Sequence, residues 1–155
     1  MGVISDYRIV LAEPADGELI ACMSRELIES GLGWKWTPSR VARSLRDPAT
    51  NVAVARHHGV LAGFGIMRYR DEEAHLVLLA VQARHRRRGV GAALVGWLEA
   101  SALAAGIGVI RLEARRNNAG ALAFYRRLGY QQVSVVREMY DGREDGVRLA
   151  RDLWS

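Results

Sequence analysis

The chain has 155 residues, a formal net charge of +5, half of its residues hydrophobic and a quarter charged. That length fits one domain with a sizeable core, and that composition excludes disordered and fibrous classes. There is no apolar run of membrane-spanning length and no secretory leader pattern, and one cysteine, Cys22, excludes an internal disulfide. Cys22 sits in an apolar periodic segment and is expected to be a small core residue of a cytoplasmic protein.

Tyr7 to Leu11 reads as a first strand. Asp16 then caps a helix from Gly17 to about Ser30, with Leu19, Ile20, Met23, Leu27 and Ile28 as one apolar stripe. Gly31-Leu32-Gly33 stops it, Trp34 and Trp36 lie in a loop, and Thr37-Pro38 opens a short helix to about Leu45. Asn51–Arg56 and Val60–Tyr69 form a hairpin turned at His57-His58-Gly59, and Ala74–Val81 is a strand covered on both faces. His57 and His58 read as an exposed turn; with no Cys or carboxylate cluster beside them, a metal site is rejected.

A helix from Gly89 to Ala105 follows, with Val90, Leu94, Trp97, Leu98 and Ala102 inward. Then come a strand Val109–Arg115, a helix Ala119–Leu128 ended by Gly129, and a last hairpin of Tyr130–Val136 and Gly146–Asp152 across Asp141-Gly142. The order β, α, α, three antiparallel β, α, β, α, two β describes one mixed α/β domain over residues 1–155.

The segment Arg86-Arg87-Arg88-Gly89-Val90-Gly91-Ala92 joins a strand to a helix N-terminus. Free amides and the positive end of a helix dipole meet there, and glycines let an anion approach the backbone. The same pattern also opens ordinary helices, and an arginine run also fits a solvated face. It is not a Walker loop, and the third glycine of a dinucleotide fingerprint is missing.

A second segment decides between these readings: Leu112-Glu113-Ala114-Arg115-Arg116-Asn117-Asn118, followed by Ala121, Tyr125 and Leu128-Gly129-Tyr130. With Arg86, Gly89 and Gly91 it resembles the paired signatures of the GNAT superfamily of acetyl-CoA-dependent N-acetyltransferases, over about Trp36 to Asp145. Within it, the chain is most similar to the bacterial ribosomal-protein alanine N-acetyltransferases, through Leu112–Asn118, Asp141–Asp145 and Trp36-Thr37. Lys35 stands where those enzymes have proline, and Val81-Gln82-Ala83 replaces the common Val-x-Pro. The loop before Asp141-Gly142 is shorter than theirs, which leaves peptide specificity open.

The resemblance implies a mostly antiparallel central sheet flanked by about four helices. It implies acetyl-CoA as co-substrate, with no metal. The backbone of Leu79, Ala80 and Val81 would align the pantetheine arm, and Arg86, Arg87, Arg88, Gly89, Val90, Gly91 and Ala92 the pyrophosphate. Asn118 and Tyr125 would also touch the cofactor. Glu113 would be general base, directly or through water, and Tyr125 general acid; Trp36 and Tyr140 would line the acceptor.

Residue type alone gives other readings: Glu113 as a structural carboxylate paired with Arg111 or Arg115, Tyr125 as a core aromatic, and Asn117 or Asn118 as a helix cap. The expected reaction is direct acetyl transfer to a protein N-terminal α-amine, with a ribosomal protein as the suggested partner. A small-molecule amine or a non-catalytic acyl-CoA-binding role are the alternatives. Membrane and direct nucleic-acid partners are not expected, and the protein would be a monomer or homodimer.

Overall fold

In a computed structural model, which describes residues 6–155, seven strands form one sheet in the order β1-β2-β3-β4-β5-β7-β6. The strands are β1 (Tyr7–Leu11), β2 (Thr50–His57), β3 (Val60–Tyr69), β4 (Glu73–Val81), β5 (Val109–Arg115), β6 (Gln131–Tyr140) and β7 (Glu144–Asp152). Every pairing is antiparallel except β4 with β5. A parallel neighbour needs a long crossover, and the helix α3 (Val90–Ala104) supplies it. Helices α1 (Gly17–Met23) and α2 (Pro38–Arg46) complete one face, while α3 and α4 (Ala119–Arg127) cover the other.

The period-2 alternation of the strands sorts the core into two layers. Ala53 and Ala55 pack toward α3 and α4, whereas Val52 and Val54 pack toward α1 and α2. β4 changes sides part-way. Its partners step from Met67↔Leu76 to Ile66↔Leu78, so Val77 is an extra residue. Before it, Ala74 and Leu76 join the α3 layer; after it, Leu78 and Ala80 join the α1–α2 layer. A one-residue bulge reverses the facing of everything beyond it.

The expected helix from Gly17 to Ser30 is two pieces. α1 ends at Met23, and Ser24–Ile28 is a π-helical turn closed by the Glu29 N–H on the Ser24 carbonyl at 2.8 Å. Of the expected stripe, Ile20 and Met23 are buried and Leu27 and Ile28 half-buried, while Leu19, on the solvent side of α1, is 46% exposed. Cys22, expected in the core, is exposed because it faces away from that stripe. His57 is partly buried rather than exposed, with its ring against Tyr7 and His85. β6 extends beyond Val136 to Tyr140, carried over a bulge that includes Glu138 at φ 53°.

Candidate active site

β4 and β5 pair only over Glu73↔Val109 to Leu76↔Leu112. Beyond that point the two strands have no mutual register, so Val77–Val81 offers an unpaired β-edge toward the gap. Alternate amides of a strand point to opposite neighbours, so part of this edge is free to bond an extended ligand. Leu79, Ala80 and Val81 lie on it.

A cavity of about 400 Å³ occupies the gap. Leu78, Leu79, Asn118, Ala121 and Tyr125 line it, together with Leu27, Ile28, Glu113 and Tyr140. Tyr125 belongs to the core layer under α3 and α4, whereas Glu113 points to the opposite face of β5 from Leu112 and Ala114. The cavity therefore connects the two faces of the sheet.

At the C-terminal end of β4 the chain makes a short 3-10 turn, Ala83–His85, before α3. The first backbone bond of α3 runs from the Ala93 N–H to the Gly89 carbonyl at 3.0 Å. Among the described residues, the amides from Arg87 to Ala92 therefore have no backbone acceptor. Gly89 caps the helix at φ 80° and Arg87 sits at φ 62°, left-handed conformations that turn successive amides outward. Arg87 and Arg88 are exposed beside them; Arg86 donates to the Val81 carbonyl at 3.2 Å and Arg88 reaches the Tyr7 hydroxyl at 3.5 Å. This cradle fits a pyrophosphate. Gly91 is needed for another reason as well: a Cβ there would stand 3.1 Å from the Phe124 ring, so its lack of a side chain also lets α3 approach α4.

Glu113 is held from three sides. His75 Nε2 lies 2.6 Å from Oε1, and Oε2 accepts from Arg148 at 2.9 Å and Arg111 at 3.1 Å. Its side chain is only 6% exposed. Burial alone would raise its pKa, but the hydrogen bonds from His75 and Arg148, with the Arg111 charge, outweigh it and hold the carboxyl at about 2. Of the two arginines expected beside it, Arg111 is a partner and Arg115 is not. Arg115 instead makes two 2.8 Å bonds to Glu144 and caps the Ile28 and Ser30 carbonyls. His75 carried no sequence signal; it reaches Glu113 only because β4 and β5 are parallel neighbours.

The linkage has a definite sign. A carboxyl depressed in the folded state stabilises the fold above its unfolded value, near 4.3, and loses that contribution as pH falls toward 2. For Glu113 the contribution is about 3 kcal/mol. Urea unfolding at pH 7 and pH 3 is expected to show a smaller acid destabilisation in Glu113→Gln than in the parent. Equal losses in both would remove Glu113 from the acid-sensitive set.

Tyr125 is buried, its ring edge-on to Phe124 and Tyr130, and burial, followed by Tyr140, pushes its pKa up. Its hydroxyl has no hydrogen-bond partner among the described residues and lies at the cavity. Tyr140 is pushed up to about 12 by burial and then by the Glu113 charge. Asn118 is the α4 cap, its Oδ1 accepting from the Ala121 N–H at 3.1 Å, and it also lines the cavity.

Trp36 is not brought to the cavity. It is 6% exposed in the α1–α2 core, with the Arg40 guanidinium 3.9 Å above its ring. The loop that carries it is held by buried Glu29, which accepts from the Ser24 hydroxyl and the Lys35 and Trp36 amides. Asp141, at the tip of the β6–β7 hairpin, accepts from the Gly33 N–H at 2.7 Å and ties the same loop to that hairpin.

Residues 18–130 match the Acetyltransferase (GNAT) family. The chain belongs to the GNAT family. It is an acetyl-CoA-dependent N-acetyltransferase, with the mixed sheet and four helices of that fold. It is 31% identical over 118 residues to the ribosomal protein bS18-alanine N-acetyltransferase of Escherichia coli K12, covering 74% of this chain and 79% of that protein. It is 35% identical over 111 residues to the N-alpha-acetyltransferase RimI of Mycobacterium tuberculosis, covering 68% and 67%. The crystal structure of the Escherichia coli ribosomal-protein-S18-alanine enzyme superposes with a TM-score of 0.81 at 26% identity, covering 95% of this chain and 94% of that one. Among the described residues, no helix is long and apolar enough to cross a membrane, and no three metal-binding side chains gather.

Proposed function

We propose that this GNAT enzyme acetylates the N-terminal α-amine of a protein, of ribosomal-protein type, by direct attack in a ternary complex in the cytoplasm. One observation carries the reading: a single cavity crosses the sheet where β4 and β5 part, with Tyr125 and Asn118 from one side and Glu113 and Tyr140 from the other. Two substrates entering from opposite faces would meet there without an acyl-enzyme. The names of the bS18-alanine and N-alpha relatives support the acceptor class.

The unpaired β4 edge would hold the pantetheine arm as an added strand, and the amides of Arg87–Ala92 the pyrophosphate. Acetyl-CoA supplies the acetyl thioester, whose carbonyl carbon gains a C–N bond and loses its C–S bond. A free amide of the β4 edge would bond the carbonyl oxygen as negative charge builds there. Tyr125 would donate its hydroxyl hydrogen to the departing sulfur. Glu113 would take the amine proton, directly or through a water. A carboxyl held at about 2 is ionised at every working pH, so it passes the proton on rather than storing it. Tyr140 and the π-turn residues Leu27 and Ile28 would line the acceptor's first residue.

The pH dependence follows. With Glu113 ionised throughout, the acid limb of kcat/KM belongs to the acceptor amine, whose pKa is near 8 in a free peptide. The limb is expected to move with the amine pKa when acceptors are changed. A limb fixed near pH 6 for all acceptors would assign the titration to the enzyme instead.

The acceptor class is tested by thiol release from acetyl-CoA with short peptides bearing Ala, Ser, Met or Gly N-termini, their N-blocked lysine-containing counterparts, spermidine and an aminoglycoside. Turnover confined to free N-termini is expected. Turnover only on spermidine or the aminoglycoside would overturn the α-amine reading.

A further inference from the structure

On the α1–α2 face, at the opposite end of the sheet from the Arg87–Ala92 cradle, lies a second cavity of about 240 Å³. Its position follows from topology: Arg68 lies near the end of β3 beside Thr50 and His75, whereas the cradle follows the far end of β4. Arg40 and Arg43, one turn apart on α2, face it together with Arg68. Among the described residues, none of these three guanidinium groups makes a salt bridge or donates a hydrogen bond.

Asp47 also lines the cavity and its charge acts on Arg68, but its oxygens already accept from the Ala49 N–H and the Thr50 hydroxyl at 2.9 Å each. Arg40 lies over the Trp36 ring, a contact that uses the face of the guanidinium and none of its N–H donors. Burial and then the neighbouring Arg68 charge lower its pKa, and the Glu29 carboxylate only partly offsets them. Such a cluster costs the fold something and places three planar forks around one cavity.

We propose that Arg40, Arg43 and Arg68 form a phosphate-binding site separate from the acetyl-CoA cradle. A tetrahedral phosphate presents oxygens in several directions and suits three guanidinium groups lining one cavity better than a carboxylate, whose two oxygens lie in one plane. The phosphate belongs either to a small phosphorylated molecule or to an RNA backbone.

The test is calorimetric titration of the protein carrying one equivalent of CoA with three probes: inorganic phosphate, a single-stranded RNA dodecamer and hexaglutamate. Both phosphate probes are expected to bind. Arg43→Gln, at an exposed position, and Arg68→Gln are each expected to weaken them about tenfold, roughly one charge-assisted contact. Thiol release on a short peptide should stay within about twofold. RNA binding tighter than phosphate, with a salt slope reduced by each substitution, supports the site and identifies a backbone source. Equal affinity per phosphate supports it and identifies the small molecule. Hexaglutamate binding as tightly as the phosphate probes, or affinities unchanged in both folded variants, would overturn the proposal in favour of a solvated basic face.

Discussion

Glu113→Gln is expected to lower kcat by about 10² to 10³, the usual range for losing a positioned proton acceptor, while acetyl-CoA affinity stays within about twofold. The substitution keeps the shape but turns one oxygen into an amide NH₂. That group then faces either His75 Nε2 or the Arg148 and Arg111 donors, so it also removes buried charge pairing. A loss of about 2–4 kcal/mol in unfolding free energy should accompany it. Catalytic and structural roles separate through Arg148→Gln. That change breaks the 2.9 Å bond to Glu113 but leaves the carboxylate in the cavity. Its expected signature is lost stability with kcat retained within about threefold. If the two variants lose kcat equally, Glu113 acts only by holding β4, β5 and β7 together.

Tyr125→Phe is the cleaner experiment. The hydroxyl has no hydrogen-bond partner among the described residues, so its removal leaves no buried group unsatisfied and opens no hole in the aromatic cluster with Phe124 and Tyr130. Unfolding free energy should change by less than about 1 kcal/mol. kcat should nevertheless fall by about 10 to 10², since the thiolate would leave without a nearby donor. The raised pKa keeps Tyr125 protonated across the working range, so the defect should be independent of pH. A kcat within twofold of the parent would leave Tyr125 as a packing residue.

The elements that local pattern governs were legible in the sequence. The strand, turn and helix around Gly89 and Gly91, the hairpin turn at His58-Gly59 and the order of elements follow from spacing and turn chemistry. The features that depend on tertiary contact were not. The π turn at Ser24–Ile28 accompanies a buried Glu29 whose partners come from the loop beyond, so an apolar stripe alone suggested one continuous helix. Trp36 looked like a loop tryptophan suited to substrate, yet a proline-started α2 and Arg40 enclose it. Arg111 and Arg115 are equivalent in spacing from Glu113. Only the placement of Glu144 on the next strand draws Arg115 away. His75 lies 38 positions from Glu113, and the bond between them depends on a parallel pairing that spacing does not encode.

The brevity of that pairing has a mechanical consequence. Among the described residues, four residue pairs, Glu73–Leu76 against Val109–Leu112, are the only strand register between a block of β1–β4 and a block of β5–β7. An extended ligand lodged along Val77–Val81 would act as a strut between the blocks. Bound protein should then exchange amide hydrogens more slowly on both sides of the seam, including strands the ligand never touches.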